Sequence, residues 1–222
     1  MAIADNIRLF HELVPPTVEI VAVSKFHPSE MILEAYQAGQ RVFGESRVQE
    51  FIEKEKILPK DIRWHFIGHL QTNKVKPIIG KTSLIESVDS QRLLNLINKE
   101  SEIAGVRSDV LLQVHVAQEV AKFGFYPEEL FDFLNTGVYK NLNSVRICGL
   151  MGMATNTDDE TRVKKDFIHL HDIYKKIKEN DAYDLPNFTR LSMGMSGDWQ
   201  LAVAEGANIV RIGSAIFGDR TY

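Results

Sequence analysis

Lys25 stands at the end of an apolar stretch, "VEIVAVSK" (18–25), where a lysine is out of place. Val21, Val23 and their apolar neighbours read as a strand headed for a dry interior. Loss of hydration disfavours the charged form of an amine and lowers its pKa. A neutral amine attacks aldehydes and forms Schiff bases, so a lysine in this position points to carbonyl chemistry. The competing reading is the usual fate of lysine, an ammonium extended into water or paired with a carboxylate.

Two stretches near the other end of the chain supply the complementary chemistry. In "SMGMSGD" (192–198), Gly194, Ser196 and Gly197 lead into a short helical segment near Asp198. In "RIGSAIFG" (211–218), Gly213 and Ser214 follow a β-rich run. Small residues let the backbone approach an anion closely and present N–H groups and hydroxyls to it. Either turn alone reads as a tight turn; the pair reads as a phosphate cradle. An aldehyde-seeking lysine with a phosphate cradle across from it fits pyridoxal 5′-phosphate, which carries both groups.

Arg211 adds a third point of attachment. It lies two residues before Gly213 and is expected on the same side of its strand. A guanidinium only donates, so it would bond to an unprotonated pyridine nitrogen. A ring held that way is a weak sink for carbanion electrons. The alternative pairs Arg211 with an interior carboxylate such as Glu45 or Glu86.

These residues need elements to position them. Strand patterns occur at 19–24, 41–45, 63–68, 83–87, 109–116, 145–151, 188–193 and 208–213. Helical patterns fall between them at 28–38, 46–56, 72–79, 90–104, 127–135, 158–179 and 198–205. The N-terminal segment carries Ile3, Ile7, Phe10 and Val14 at helical spacing, interrupted by charge, and reads as an amphipathic helix rather than a signal peptide. Parallel neighbours need crossover connections, so eight strands alternating with helices predict an α/β fold of the (β/α)8 TIM-barrel type. An open doubly wound sheet is the alternative. No linker or composition break divides residues 1–222, which are read as a single domain. In such a barrel the strands' C-terminal ends carry function, and Lys25, Ser196, Arg211, Gly213 and Ser214 all fall there.

Composition narrows the class further. The 222 residues are 44% apolar with a net charge of −4, and the charges are scattered, which argues against nucleic-acid or membrane-surface partners. Cys148 is the single cysteine, and no zinc-type Cys/His spacing occurs, so no metal is expected. No apolar run reaches membrane-spanning length. A cytoplasmic setting and a monomer are the expectations.

The sequence resembles the pyridoxal phosphate homeostasis proteins, a family related to the N-terminal barrel of alanine racemase. The resemblance rests on "VAVSK" (21–25), "FGES" (43–46) with "VQE" (48–50), "WHFIGHLQTNK" (64–74), "GLMGM" (149–153), "LSMGMSGD" (191–198) and "VRIGSAIFG" (210–218). It implies an internal aldimine on Lys25, phosphate contacts from Ser196, Gly213 and Ser214, and Arg211 at the pyridine nitrogen. It also implies a role in holding and distributing vitamin B6, with PLP-dependent apoenzymes as conceivable recipients. Ser46 stands where the family commonly has Asn; serine is shorter, and Ser46 is kept as a cofactor-binding candidate. Lys122 matches another family lysine, read either as a secondary contact or, preferably, as an exposed charge.

Alanine racemase has a C-terminal β-domain that supplies a tyrosine base from the partner subunit. Here the chain runs only a few residues past the last strand pattern, so that domain is not expected. The leading expectation is therefore a PLP carrier with no catalytic residue. A PLP-dependent amino-acid racemase and a cofactor-free Schiff-base aldolase are the alternatives. His65 and His115 read as satisfied barrel residues, His69 as a rim residue, and Met151, Met153, Met193 and Met195 as packing around the pocket.

Overall fold

The computed structural model describes residues 2–119 and 123–218. Helix α1 (Ile3–Leu13) buries Ile3, Ile7 and Phe10, the stripe its spacing predicts. Then follow β1 (Glu19–Val23), α2 (Ser29–Gln37), β2 (Val42–Glu45), α3 (Val48–Ile57) and β3 (Arg63–Phe66). The alternation continues through β4 (Leu84–Val88), α4 (Gln91–Ala104), β5 (Ser108–Val114), α5 (Pro127–Thr136) and β6 (Val145–Gly152). It closes with α6 (Glu160–Lys178), β7 (Arg190–Met195), α7 (Trp199–Ala204), β8 (Ile209–Ile212) and α8 (Ser214–Phe217).

The eight strands pair in parallel in chain order, and β1 pairs with β8 to close the barrel. The open-sheet alternative is thereby excluded. Local signals explain the element ends. Ser90 Oγ accepts the Leu93 N–H at the start of α4, and Gly105 ends that helix at φ 66°. The helix expected over 72–79 is a correction: Thr72–Lys74 and Lys76–Ile78 are 3-10 turns. Pro77 lacks an N–H and has a fixed φ, which breaks an α-helical ladder there.

Two apolar layers hold the barrel. The larger lies between strands and helices and includes Ala22, Phe43, Ile85, Leu150, Val210 and Ile212. The smaller fills the barrel interior with Val21, Val42, Leu84, Leu111, Cys148, Met151 and Ile209. Alternate residues of one strand thus face opposite sides, as a pleated strand requires. No helix of the described residues is long and apolar enough to cross a membrane.

Candidate functional site

The turns after β7 and β8 meet through one oxygen. Ser196 Oγ accepts from the backbone N–H of Gly213 at 3.0 Å and of Ala215 at 3.4 Å. The convergence expected of these two turns is therefore a direct contact. Asp198 Oδ1 braces the first turn by accepting the Met195 N–H at 2.5 Å. Burial pushes the Asp198 carboxyl up, against the pull of that N–H and of the Arg211 charge. Gly194, at φ 90°, brings this turn tight against α7: a Cβ there would lie 2.5 Å from the Ala202 Cβ. Around Gly197 the space is open, with nothing within 4 Å of where a Cβ would sit. Gly213 caps the N-terminal end of α8, and Ser214 is its exposed first residue.

Below this pair of turns Arg211 is buried in the barrel. Its position follows from parity on β8, where Ile209 faces the interior and Val210 and Ile212 face the helices. One terminal nitrogen donates to Ser192 Oγ at 2.5 Å and the other to the Gly152 carbonyl at 2.9 Å. Glu86, from the equally buried β4, stands 3.7 Å away, so the interior carboxylate pairing foreseen for this arginine is present. Glu86 in turn accepts from Ser192 Oγ at 2.6 Å and meets His65 Nδ1 at 2.6 Å. Burial pushes the Glu86 carboxyl up, but His65, Arg211 and Ser192 together outweigh it and hold the group below its ordinary value. For Arg211, burial lowers the pKa against Glu86 and Asp198. A guanidinium carries five N–H donors, so two bonds do not exhaust it.

Lys25 is half-buried in the turn that follows β1. Val21 pairs with Arg211 and Ala22 with Ile212, and Val23 reaches Gly213, whose Cβ position lies 3.4 Å from the Val23 Cβ. This corrects the expectation that these turns stand across the mouth from the lysine. Closure of β1 on β8 makes the two turns neighbours on one side of the rim.

Glu45 proves to belong elsewhere than the interior. On β2, Val42 faces the barrel interior, while Glu45 turns to α3, where Lys54 Nζ donates to it at 2.7 Å. Ser46 follows β2 and is pressed against β3's exit: a Cβ on Gly68 would fall 2.3 Å from the Ser46 carbonyl oxygen. It lines a cleft of about 430 Å3 with Arg47, Phe66, His69 and Lys74, on the β2–β3 side of the rim. Lys122 lies outside the described residues.

The histidines divide. His65 is bonded to Glu86, whereas His115 Nδ1 has no hydrogen-bond partner among the described residues, contrary to its expected satisfaction. His69 stacks on Phe123 at 3.7 Å and meets Asp89 at 2.9 Å. Of the methionines, Met151 and Met153 face the interior, Met193 packs in the outer layer, and Met195 is exposed.

Sequence reasoning passed over Ser192, Lys54 and Glu50. The i,i+4 pair Glu50 and Lys54 and the charged end of "FGE" were the available signals, since opposite charges at that spacing face one another on a helix.

The chain matches the family described as "Alanine racemase, N-terminal domain" over residues 1–221. It is 40% identical to the pyridoxal phosphate homeostasis protein of Aquifex aeolicus over 205 residues, 92% of this chain and 88% of that one. The protein of that name from Schizosaccharomyces pombe is 37% identical over 206 residues, 91% of this chain and 84% of the relative. Among solved structures, PipY of Synechococcus elongatus with PLP bound superposes with a TM-score of 0.88 at 36% identity, covering 97% of this chain and 100% of that one. Alanine racemase from Bartonella henselae, at 19% identity and a TM-score of 0.75 over 99% of this chain and 59% of that one, shares the fold. The chain therefore belongs to the alanine racemase N-terminal domain family and, within it, to the pyridoxal phosphate homeostasis proteins.

Proposed function

We propose that this chain is a single-domain, monomeric cytoplasmic carrier of pyridoxal 5′-phosphate, holding it through Lys25 and serving vitamin B6 homeostasis without robust catalysis. The observation that carries the reading is the β1–β8 seam, which sets the Lys25 turn beside the Arg211–Gly213–Ser214 strand end. The donor set fits the group: hydroxyls and backbone N–H groups suit a phosphate, and a buried guanidinium suits a ring nitrogen that accepts. PipY, with a PLP-bound structure, supports the same reading.

In this reading Ser196, Gly213 and Ser214 grip the phosphate, Arg211 donates to the ring nitrogen, and Ser46 contributes from the β2 rim. The cofactor supplies an aldehyde carbon. Lys25 would hold the group by its amine, for which that carbon would supply a reversible C=N linkage with exchange of one water, so that the group could be released to PLP-dependent apoenzymes. Arg211 only donates, so it leaves the ring unprotonated and a weak electron sink, which favours storage over carbanion chemistry. The racemase reading draws support from the family match, but needs a proton donor on each face of the substrate carbon.

Absorbance with borohydride mapping tests the proposal. A yellow protein whose colour is fixed onto a peptide containing Lys25 is expected, with no rapid α-proton exchange on alanine or other amino acids. Fast, substrate-specific exchange would overturn the carrier reading in favour of the racemase. A colourless protein that traps a sugar phosphate would favour the aldolase.

A further inference from the structure

The turn that carries Lys25 is held from outside the barrel by a buried ionic cluster. Ser24 O accepts the His27 N–H at 3.2 Å, so Lys25 and Phe26 are the two central residues of a tight turn. Phe26 takes φ 67°, a left-handed conformation that an aromatic side chain adopts at a cost and that glycine usually fills. Something must hold the turn in that shape.

Lys54 on α3 lies against it, with only 5% of its surface exposed. Its ammonium donates to Ser24 O at 2.8 Å, to Glu45 Oε1 at 2.7 Å and to Glu50 Oε1 at 2.6 Å. Three acceptors match the three N–H bonds of an ammonium. Glu50 Oε1 also accepts the Phe26 N–H at 2.6 Å, and Ser24 Oγ donates to Glu45 Oε1 at 2.6 Å. The carbonyl before Lys25 and the N–H after it are thus tied to one cluster. Arg47, at the start of α3, sets its guanidinium 4.5 Å over the Phe26 ring.

A cluster of this kind is an inefficient way to stabilise a fold, because desolvating the ions consumes much of their attraction. Well-packed apolar residues would serve stability as well. What the ions supply here is direction, since each bond ends on a particular backbone atom of the turn.

We propose that Lys54 and Glu50 are positioning residues for Lys25, fixing the Ser24–His27 turn so that the Lys25 amine meets an aldehyde held in the neighbouring cradle. The inference rests on Lys25 being the residue that forms the covalent bond.

The test separates covalent capture from cradle binding. The whole protein, stripped of cofactor, is mixed with pyridoxal 5′-phosphate, and borohydride trapping at Lys25 is timed by peptide mapping. Pyridoxamine 5′-phosphate, which has no aldehyde, reports the cradle alone. Lys54→Met and Glu50→Ala should slow trapping roughly ten- to a hundredfold, as small misplacements of reacting groups do, while pyridoxamine 5′-phosphate affinity stays within about twofold. Both should accelerate hydrogen exchange at the Phe26 amide. Glu50→Gln keeps an acceptor for that amide and should trap at close to the wild-type rate. Tyr139→Phe, which removes a remote buried hydrogen bond to the Tyr183 carbonyl, should leave trapping unchanged.

If Lys54→Met does not fold, the half-buried Glu50 carries the test through its Ala and Gln variants. Wild-type trapping rates in folded Lys54→Met and Glu50→Ala would overturn the positioning role and leave the Lys25 reading standing. Wild-type trapping on some other residue would overturn the reading itself, and the inference with it.

Discussion

Val21 and Arg211 are cross-strand partners on the seam where β1 meets β8. One residue pairing thereby sets the strand that ends in the Lys25 turn beside the strand that leads into Gly213 and Ser214. If those turns form the cradle, the oxygen joining them is its weakest point to substitution. Ser196→Ala removes the acceptor shared by the Gly213 and Ala215 N–H groups. The expected outcome is a loss of about 1–3 kcal/mol in pyridoxal 5′-phosphate binding, measured by absorbance titration. Lys25→Ala, by contrast, should abolish the borohydride-stable adduct while the protein still binds pyridoxamine 5′-phosphate.

Arg211 and Glu86 carry opposite charges in the barrel interior, and neither is at the surface. Removing Glu86 leaves the Arg211 charge buried with only the Ser192 hydroxyl, the Gly152 carbonyl and the Asp198 field to offset it, and breaking a buried pair in this way costs about 3–5 kcal/mol. Glu86→Leu should therefore lower the urea midpoint sharply. Combining it with Arg211→Met should recover much of the loss, because no charge is then left stranded. A double variant no more stable than Glu86→Leu would show that the pair is not what the barrel misses.

Glu45 sets a pH dependence. Burial pushes its carboxyl from 4.5 up to about 7, against the pull of Lys54 and Ser24. The folded protein therefore keeps this proton to a higher pH than the unfolded chain does. The folded state binds more protons between about 4.5 and 7, so this group's contribution to stability falls as pH rises through that window. Glu45→Gln cannot titrate and should flatten the decline. Urea midpoints at several pH values across the window provide the check; an unchanged slope would mean that other groups set it.

The barrel itself was legible because period-two apolar runs and helical stripes alternate with clear punctuation. Pro28, Gly39, Gly105 and Pro127 mark element ends within a residue or two of where the structure has them. The 72–79 segment misled because its apolar spacing is helical, while the backbone chemistry of Pro77 is not. At the site, strand parity put Arg211 on the side of Gly213. Of the two carboxylates offered as its alternative partner, Glu86 is within reach, while Glu45 is held by Lys54 on α3. Parity gave no account of which strand lies beside which. The seam between the first and last strands is a long-range closure, so the two glycine turns were expected across the mouth instead of on the side of Lys25. The ionic cluster was hidden for a related reason. Glu45, Glu50 and Lys54 look like ordinary surface charges until α3 packs them against the Ser24 carbonyl.

Gly194, near the end of β7, and Gly197, in the turn that follows, should respond in opposite ways. Gly194 sits at φ 90°, and a Cβ there would fall 2.5 Å from the Ala202 Cβ and 3.1 Å from the Trp199 Cα. Neither obstacle is the flexible end of a side chain, so α7 itself must shift. Gly194→Ala should cost about 1–3 kcal/mol through backbone strain alone, and more where α7 moves. Because α7 follows directly on Asp198, whose carboxylate holds the Met195 N–H, that shift should also displace Ser196 and weaken pyridoxal 5′-phosphate binding. At Gly197 a methyl group enters open space, and Gly197→Ala should leave stability within about 0.5 kcal/mol. Any loss of binding in that variant then reads the cradle directly, undisturbed by the fold. Thermal unfolding alongside absorbance titration distinguishes the two: Gly194→Ala should fall in both, and Gly197→Ala in binding alone if in either.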